Sequence, residues 1–462
     1  MALVTSAPNS AAARDLAYLA HPYTNLKMHQ EAGPLVITRG EGVYVYDENG
    51  KEYIEGLAGL WCTALGFSEP RLAEAGRRAM SQLPFYHSFG GKAPAPTIEL
   101  AERLIGLAPT PMSKVLFANS GSESNDTAVK LIWYYNNALG RPEKKKIMSR
   151  QRAYHGVTVA TASLTGLPAN HRDFDLPIPR ILHTDCPHHW RFSADGETEE
   201  AFATRLADNL EALILREGPE TIAAMFAEPV MGAGGVIVPP ATYFAKIQPI
   251  LRRHDILLIA DEVICGFGRT GEVWGSQTYG IQPDMITCAK ALSSGYVPIS
   301  ALMVSEAIWR AMLAESEKIG VFAHGFTYSG HPVAAVVALE ALSIYEERNI
   351  FGHVRRVAPL LQAGLRRLQD HPLVGEARGV GLVGALELVQ DKASKAPYAA
   401  TRGVGAYVSK RCEAHGLIVR VIGGDIIALS PPLIIDAVEI EEMLARLERA
   451  LDDTWAWLRG SM

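Results

Sequence analysis

The chain has 462 residues, of which 48% are hydrophobic and 20% charged, a globular composition with ample material for a core. With 44 Lys and Arg against 50 Asp and Glu the net charge is −6, so the charge balance points to neither nucleic acid nor an anionic membrane as a partner. Five scattered cysteines (Cys62, Cys186, Cys265, Cys288, Cys412) without a C-x-x-C pair argue against a disulfide framework or structural zinc and fit a reducing compartment.

Residues 1–21 show no charged region leading into an apolar one, and no apolar run approaches the ~18 residues of a membrane span. The expected setting is the cytoplasm. Residues 42–55 read as a β-hairpin, with Asn49-Gly50 supplying both φ > 0 positions of a type I′ turn. From Arg71, helical stretches alternate with apolar strands at Lys114–Ala118, Lys146–Ser149, Ala223–Ala227, Ile256–Ala260, Met285–Cys288 and Ile299–Val304. Continuous apolar strands alternating with helices predict a doubly wound α/β domain with a mainly parallel sheet. After His331-Pro332 come helices over Val333–Glu347 and Val354–His371, strands over Gly379–Leu388, Leu417–Val421 and Ile426–Leu429, and a last helix over Ala437–Leu458. The expected division is a segment 1–70 that joins the small domain, a large domain 71–330, and a small α+β domain 331–462.

Three segments carry groups that can do chemistry. The strand Ile256–Ala260 runs straight into Asp261-Glu262, at the strand end where open α/β sheets bind ligands. Acids leaving for solvent would account for one carboxylate, yet the chain continues apolar through Val263-Ile264-Cys265, so Asp261 is read as ligand-facing. Asn119-Ser-Gly-Ser-Glu-Ser-Asn-Asp126 joins a strand to a helix expected over Glu123–Asn137. Gly121 permits close approach, Ser122 offers a hydroxyl, and the helix start offers free N–H groups, which together suit a phosphate. On this segment alone, capping by Ser120 or Ser122 is the better reading. Lys290 stands in Met-Ile-Thr-Cys-Ala-Lys-Ala-Leu with no acid beside it. A strand-end lysine ordinarily snorkels to the surface; the alternative is a desolvated amine able to attack a carbonyl.

Gly266-Phe-Gly-Arg-Thr-Gly271 satisfies the G-x-G-x-x-G pattern of a nicotinamide enzyme, but two acids intervene after the strand and the continuation opens a helix poorly. His183, His188 and His189 are read as a polar loop rather than a metal site. His155 is read as a satisfied core histidine. One cofactor accounts for the lysine, the acid and the phosphate cup together: pyridoxal phosphate needs a Schiff-base lysine, an acid for its pyridinium nitrogen and a phosphate anchor.

At this point the chain resembles the class III aminotransferases of PLP fold type I, most closely the (S)-selective amine:pyruvate, or omega-, aminotransferases. The resemblance rests on residues 119–126, Tyr154-His-Gly156, Ala227-Glu-Pro-Val230, Asp261 to Gly271, Ala289-Lys-Ala-Leu292, His324 to Pro332 and Gly416-Leu-Ile-Val-Arg420, in the family's order over nearly the whole chain. It implies a Schiff base at Lys290, which also shuttles the substrate Cα proton. It implies Asp261 against the pyridinium nitrogen, Ser120, Gly121 and Ser122 around the phosphate with Thr327 from a partner subunit, Tyr154 and Val263 on the two ring faces, and a supporting Glu228. A homodimer or dimer of dimers with interface active sites is implied.

The substrates implied are an amine donor and a keto-acid acceptor, pyruvate above others, exchanged by a ping-pong mechanism. Arg420 matches the family arginine that swings in for carboxylates, and a guanidinium suits a carboxylate bidentately; without the resemblance it reads as a strand-end surface arginine. Leu60, Trp61, Phe89, Tyr154 and Phe326 would line an aromatic pocket, although Trp61 and Phe89 could equally be interface core. Other reactions of the same fold (aminomutase, decarboxylase, racemase), a nicotinamide dehydrogenase and a non-catalytic binding protein remain as alternatives.

Overall fold

The computed structural model describes residues 9–460; residues 1–8, the start of the segment read above for a leader, lie outside the described residues. Fifteen strands form three sheets. In chain order they are β1 Ile37–Glu41, β2 Tyr44–Asp47, β3 Glu52–Glu55, β4 Lys114–Ala118, β5 Lys146–Arg150, β6 Ile181–Thr184, β7 Ile222–Ala227, β8 Leu257–Asp261, β9 Met285–Cys288, β10 Ser300–Val304, β11 Val374–Val380, β12 Val383–Leu388, β13 Leu417–Ile418, β14 Arg420–Ile422 and β15 Ile426–Leu429. Among the described residues no helix is long and apolar enough to cross a membrane.

The seven-stranded sheet has the order β4-β10-β9-β8-β7-β5-β6. Strands β9, β8, β7, β5 and β6 are mutually parallel. Strand β10 is antiparallel to both β9 and β4, so β4 runs with the parallel set. The continuous apolar runs follow from burial on both faces. Phe226 and Ile259 pack with Ala128, Leu131 and Ile132 of the helix Gly121–Ala138. Their strand neighbours Met225 and Leu258 point the other way, into the helices Glu199–Glu217 and Tyr243–Arg253. The C-terminal ends of β4, β5, β7, β8 and β9 therefore share one edge, and β10 begins there.

Strand β6, a short Ile-Leu-His-Thr, is not anticipated by the apolar pattern because it is an edge strand with two half-buried positions. The run 379–388 is two antiparallel strands, β11 and β12, turned at Gly381 (φ 57°). The run 417–421 divides between sheets: β13 pairs parallel with β3 in the sheet β1-β2-β3-β13, and β14 joins β11-β12-β15-β14.

The hairpin β2–β3 has a different turn from the one expected. Of Glu48, Asn49 and Gly50, only Gly50 has positive φ, at 79°. The Gly50 N–H donates to the Asp47 carbonyl (3.0 Å), and the Asp47 N–H to the Lys51 carbonyl (3.1 Å). That is a type I turn followed by a left-handed glycine bulge. Asp47 Oδ1 accepts from the N–H groups of Asn49 and Lys51, both at 2.9 Å, so the Asp47 side chain selects this longer turn. Gly50→Ala meets no side-chain obstacle and is expected to cost about 1–2 kcal/mol from φ alone. Asn49→Ala is expected to cost far less; equal losses in chemical denaturation would contradict this turn assignment.

Candidate active site

A cleft of about 310 Å³ opens along the shared strand edge. Each strand end delivers one part of its wall: Asn119 to Ser122 after β4, Tyr154 and His155 after β5, Glu228 after β7, Asp261 and Val263 at β8, and Lys290 after β9. This is where parallel α/β sheets place ligands, because strand ends and helix starts converge there.

Lys290 is half-buried and faces this cleft. Its backbone is left-handed (φ 47°), a conformation that costs a non-glycine residue free energy and that surrounding structure has to impose. Here the Lys290 carbonyl accepts from the Gly295 N–H (3.1 Å), and the buried Tyr345 hydroxyl donates to the Ala291 carbonyl (2.6 Å). Among the described residues the Lys290 ammonium has no hydrogen-bond or ion-pair partner. Burial lowers its pKa, against the opposing pull of Cys62, Asp261 and Glu228.

Asp261 is 3% exposed. Its Oδ2 accepts from Asn125 Nδ2 (2.7 Å) and pairs with His155 Nδ1 (2.8 Å), and its Oδ1 accepts from the Val263 N–H (3.1 Å). Three donors from three elements thus hold a buried carboxylate. His155 is buried, as a core histidine would be, but only half satisfied: Nδ1 is committed to Asp261, while Nε2 has no partner among the described residues. The adjacent acid has another task. Residues next to each other in a strand face opposite sides, and Glu262 turns away to accept from the N–H groups of Gly275 (2.9 Å) and Ser276 (2.6 Å). Burial pushes its pKa up to about 7.

Glu228, also buried, accepts from the N–H groups of Tyr154 and Gly232, both at 3.0 Å, and so positions the Tyr154 backbone. Burial raises its pKa. At the helix start the two serines divide the work. Ser120 Oγ caps the helix, accepting from the Glu123 N–H (3.2 Å). Ser122 Oγ accepts from the Val157 N–H (3.2 Å) and lines the cleft. A Cβ on Gly156 would lie 2.6 Å from Ser122 Oγ, and one on Gly121 would lie 2.9 Å from Val263 Cγ1. Only glycine lets these segments close around Ser122.

The remaining expected residues lie outside the cleft wall of this chain. Arg420 begins β14, half-buried and without a hydrogen-bond or ion-pair partner among the described residues. Its charge nevertheless acts on both Lys290 and Tyr154. Trp61 is 3% exposed and packs with Val230 and Ile264. Leu60 and Phe89 are 49% and 47% exposed. Thr327 is exposed and Phe326 half-buried, on a segment whose Gly325 lies against the Phe89 ring.

Sequence reasoning missed Asn125, although it stands on the same helix face as Gly121 at i+4 spacing. It also missed Tyr23, whose ring meets that of Tyr154 edge-on at 6.5 Å. The histidine loop is partly misread: His188 is buried, with Nε2 2.8 Å from Glu376 Oε2. Arg378 pairs with both Glu376 and Glu387 there, so a guanidinium already neutralises the acids. The glycine-rich 266–271 segment opens no helix. Its Arg269 is buried and donates to the carbonyls of Leu382 (3.0 Å) and Pro431 (2.6 Å), fastening the C-terminal segment to the large sheet.

The profile of the class-III aminotransferases matches residues 27–451. A tomato (Solanum lycopersicum) protein named gamma aminobutyrate transaminase 3, chloroplastic, is 55% identical over 97% of this chain and 88% of its own length. Vanillin aminotransferase of Capsicum annuum is 55% identical over 91% of this chain and 92% of its own. The solved omega transaminase of Pseudomonas jessenii in complex with PMP superposes with a TM-score of 0.95 at 57% identity, covering 97% of this chain and 99% of that one. With its lysine, buried aspartate and serine-glycine cradle assembled on one sheet edge, the chain belongs to the class-III aminotransferase family of PLP fold type I.

Proposed function

We propose that this aminotransferase moves an amino group from a primary amine or ω-amino acid to an α-keto acid, with pyruvate as the principal acceptor, in two ping-pong half-reactions. Pyridoxal phosphate is the family's cofactor, and the cleft suits it: an uncommitted amine, an aspartate clamped by Asn125 and His155, and a Ser122 cradle that two Cβ atoms would fill. When bound, the group supplies a carbonyl that exchanges amines and a ring that withdraws electrons.

The single observation that carries the reading is the free Lys290 amine in a cleft shared with Asp261. Burial favours its neutral form, the form that attacks a carbonyl. Lys290 would also take and return a proton at the substrate carbon beside the amine. Asp261 would hold a positive ring nitrogen, and its three donors keep it oriented to do so. Tyr154 and Val263, on the cleft walls, would hold the ring, and Ser122 with the helix N–H groups would take the phosphate. Arg420 would be the cation for the acceptor carboxylate: it has no competing partner among the described residues, and its charge is felt at Lys290. The names of the plant relatives support ω-amino acid and aryl substrates.

A homodimer, or a dimer of dimers, completes the site in this reading. Phe85 and Tyr328 meet edge-on at 5.6 Å and are both exposed, beside Phe89 and Thr327. This aromatic patch supports a face that a second copy covers, with Thr327 and Phe326 reaching its cleft. The five free cysteines fit a reducing compartment, and we propose the cytoplasm.

With PLP added, the purified protein is expected to show a visible absorption band and to form alanine stoichiometrically from pyruvate and an amine. Lys290→Ala is expected to lose both; a wild-type protein without the band would overturn the assignment. Arg420→Ala is expected to raise KM for pyruvate roughly tenfold or more, the loss of a charged hydrogen-bonding partner, while changing KM for an arylalkylamine far less. Sedimentation is expected to give twice the chain mass or a multiple of that; a monomer with full activity would remove the shared site.

A further inference from the structure

We infer that Glu55 is a positioning residue for the amino-transfer site: its buried carboxyl holds the turn 57–62 in the left-handed form that sets Leu60 and Trp61 and brings Cys62 to the cleft. This rests on the proposed amino transfer and on the substrate-pocket roles that the family resemblance implies for Leu60 and Trp61.

Glu55 ends β3, paired in parallel with Ile418 of β13, and is 4% exposed. The chain next passes Gly56, where a Cβ would lie 2.7 Å from the Ile418 carbonyl oxygen. The Gly56 N–H donates to that same oxygen (3.0 Å), which ties the chain to β13 at this point. The turn then takes three positive φ values: Ala58 at 51°, Gly59 at 70° and Trp61 at 65°. Two of these residues are not glycine, and each costs about 1–2 kcal/mol in that region. Such strain persists only where neighbouring structure over-determines it, and it concentrates at functional sites.

The Trp61 N–H donates to the Leu57 carbonyl (2.8 Å) and the Cys62 N–H to the Ala58 carbonyl (2.9 Å), but both bonds lie within the turn. The anchor from outside is Glu55. The Gly59 N–H donates to its carboxyl, and the Leu57 N–H is directed at the same group. The geometry is that of a side chain capping the free N–H groups of a helical turn. The turn delivers its residues in three directions: Leu60 outward, Trp61 into the core with Val230 and Ile264, and Cys62 onto the cleft beside Lys290.

Glu55 has no lysine or arginine partner among the described residues, so it is not a structural ion pair. A buried acid without a cation is costly to stability, and its retention beside a strained turn at the cleft points to function. Burial pushes its pKa up to about 7, opposed by the two N–H donors. Cys62 is the titratable neighbour on which its charge acts. Because the folded value lies above the ordinary 4.5, the proton favours the buried placing of the carboxyl, although the two N–H donors favour its ionised form. That contribution is complete below the ordinary value and is lost as pH rises through about 7.

The test uses the PLP-loaded enzyme with pyruvate and two donors, a bulky arylalkylamine and a small unbranched alkylamine. Glu55→Ala is expected to raise KM for the bulky donor roughly tenfold, with KM for the small donor within about twofold. Glu55→Gln keeps an acceptor oxygen and is expected to restore KM. It should also abolish the change in the ratio of the two donors' KM values that the wild type is expected to show as pH rises through about 7. An unchanged ratio of donor KM values in Glu55→Ala, with only a lowered Tm, would overturn the inference. If that variant does not fold, an unaltered pH profile in Glu55→Gln would overturn it. Trp61→Ala separates this from the parent reading. If it leaves donor preference unchanged, the substrate role of the turn fails; if it changes preference while both Glu55 variants behave as wild type, only the role of Glu55 fails.

Discussion

The carboxylate of Asp261 is buried at the end of the central strand with neither lysine nor arginine paired to it among the described residues. A buried charge in that position survives only if N–H donors surround it. Those donors come from three different stretches of chain: Asn125 on the helix after β4, His155 after β5, and the backbone just past β8 itself. Meeting this need fixes where the helix start and the β5 loop sit relative to β8. The wall of the cleft is therefore a consequence of satisfying one aspartate.

The same economy appears in the other acids of the site. Glu228 and Glu55 are both buried, and both accept from backbone N–H groups rather than from cations. Glu262 does likewise on the far side of the sheet. Carboxyls used in this way fix loop conformation and leave the free positive groups, Lys290 and Arg420, uncommitted. A site that must handle carbonyls and carboxylates needs its amine and guanidinium free, and the surrounding acids are arranged not to neutralise them.

The strand pattern of the large sheet was legible because a parallel strand buried on both faces has to be apolar throughout, as in Ile222–Ala227. Strand β6 escaped because an edge strand is under no such demand. The hairpin turn was misjudged because Asn-Gly favours two left-handed residues locally, whereas the Asp47 side chain supplies two acceptor bonds that favour another turn. Lys290, Asp261 and Ser122 were legible as types of residue at strand ends, and Glu228 only through the resemblance. Asn125 and the strained turn at Ala58 were not, since their importance lies in what they touch across the fold.

By itself, then, the sequence determined the alternation of strand and helix, the placing of an amine, an acid and a serine-glycine turn at strand ends, and the resemblance carried by those motifs. Only the tertiary structure decided what Glu262 turns to, that His155 serves Asp261, that Arg269 of the glycine-rich 266–271 segment fastens the C-terminal segment, and that Glu55 stands under the turn bearing Leu60 and Trp61. Local patterns are set by periodicity and propensity, which a single chain displays. The partner of a buried polar group is chosen by contacts across long stretches of sequence, and no local pattern records them.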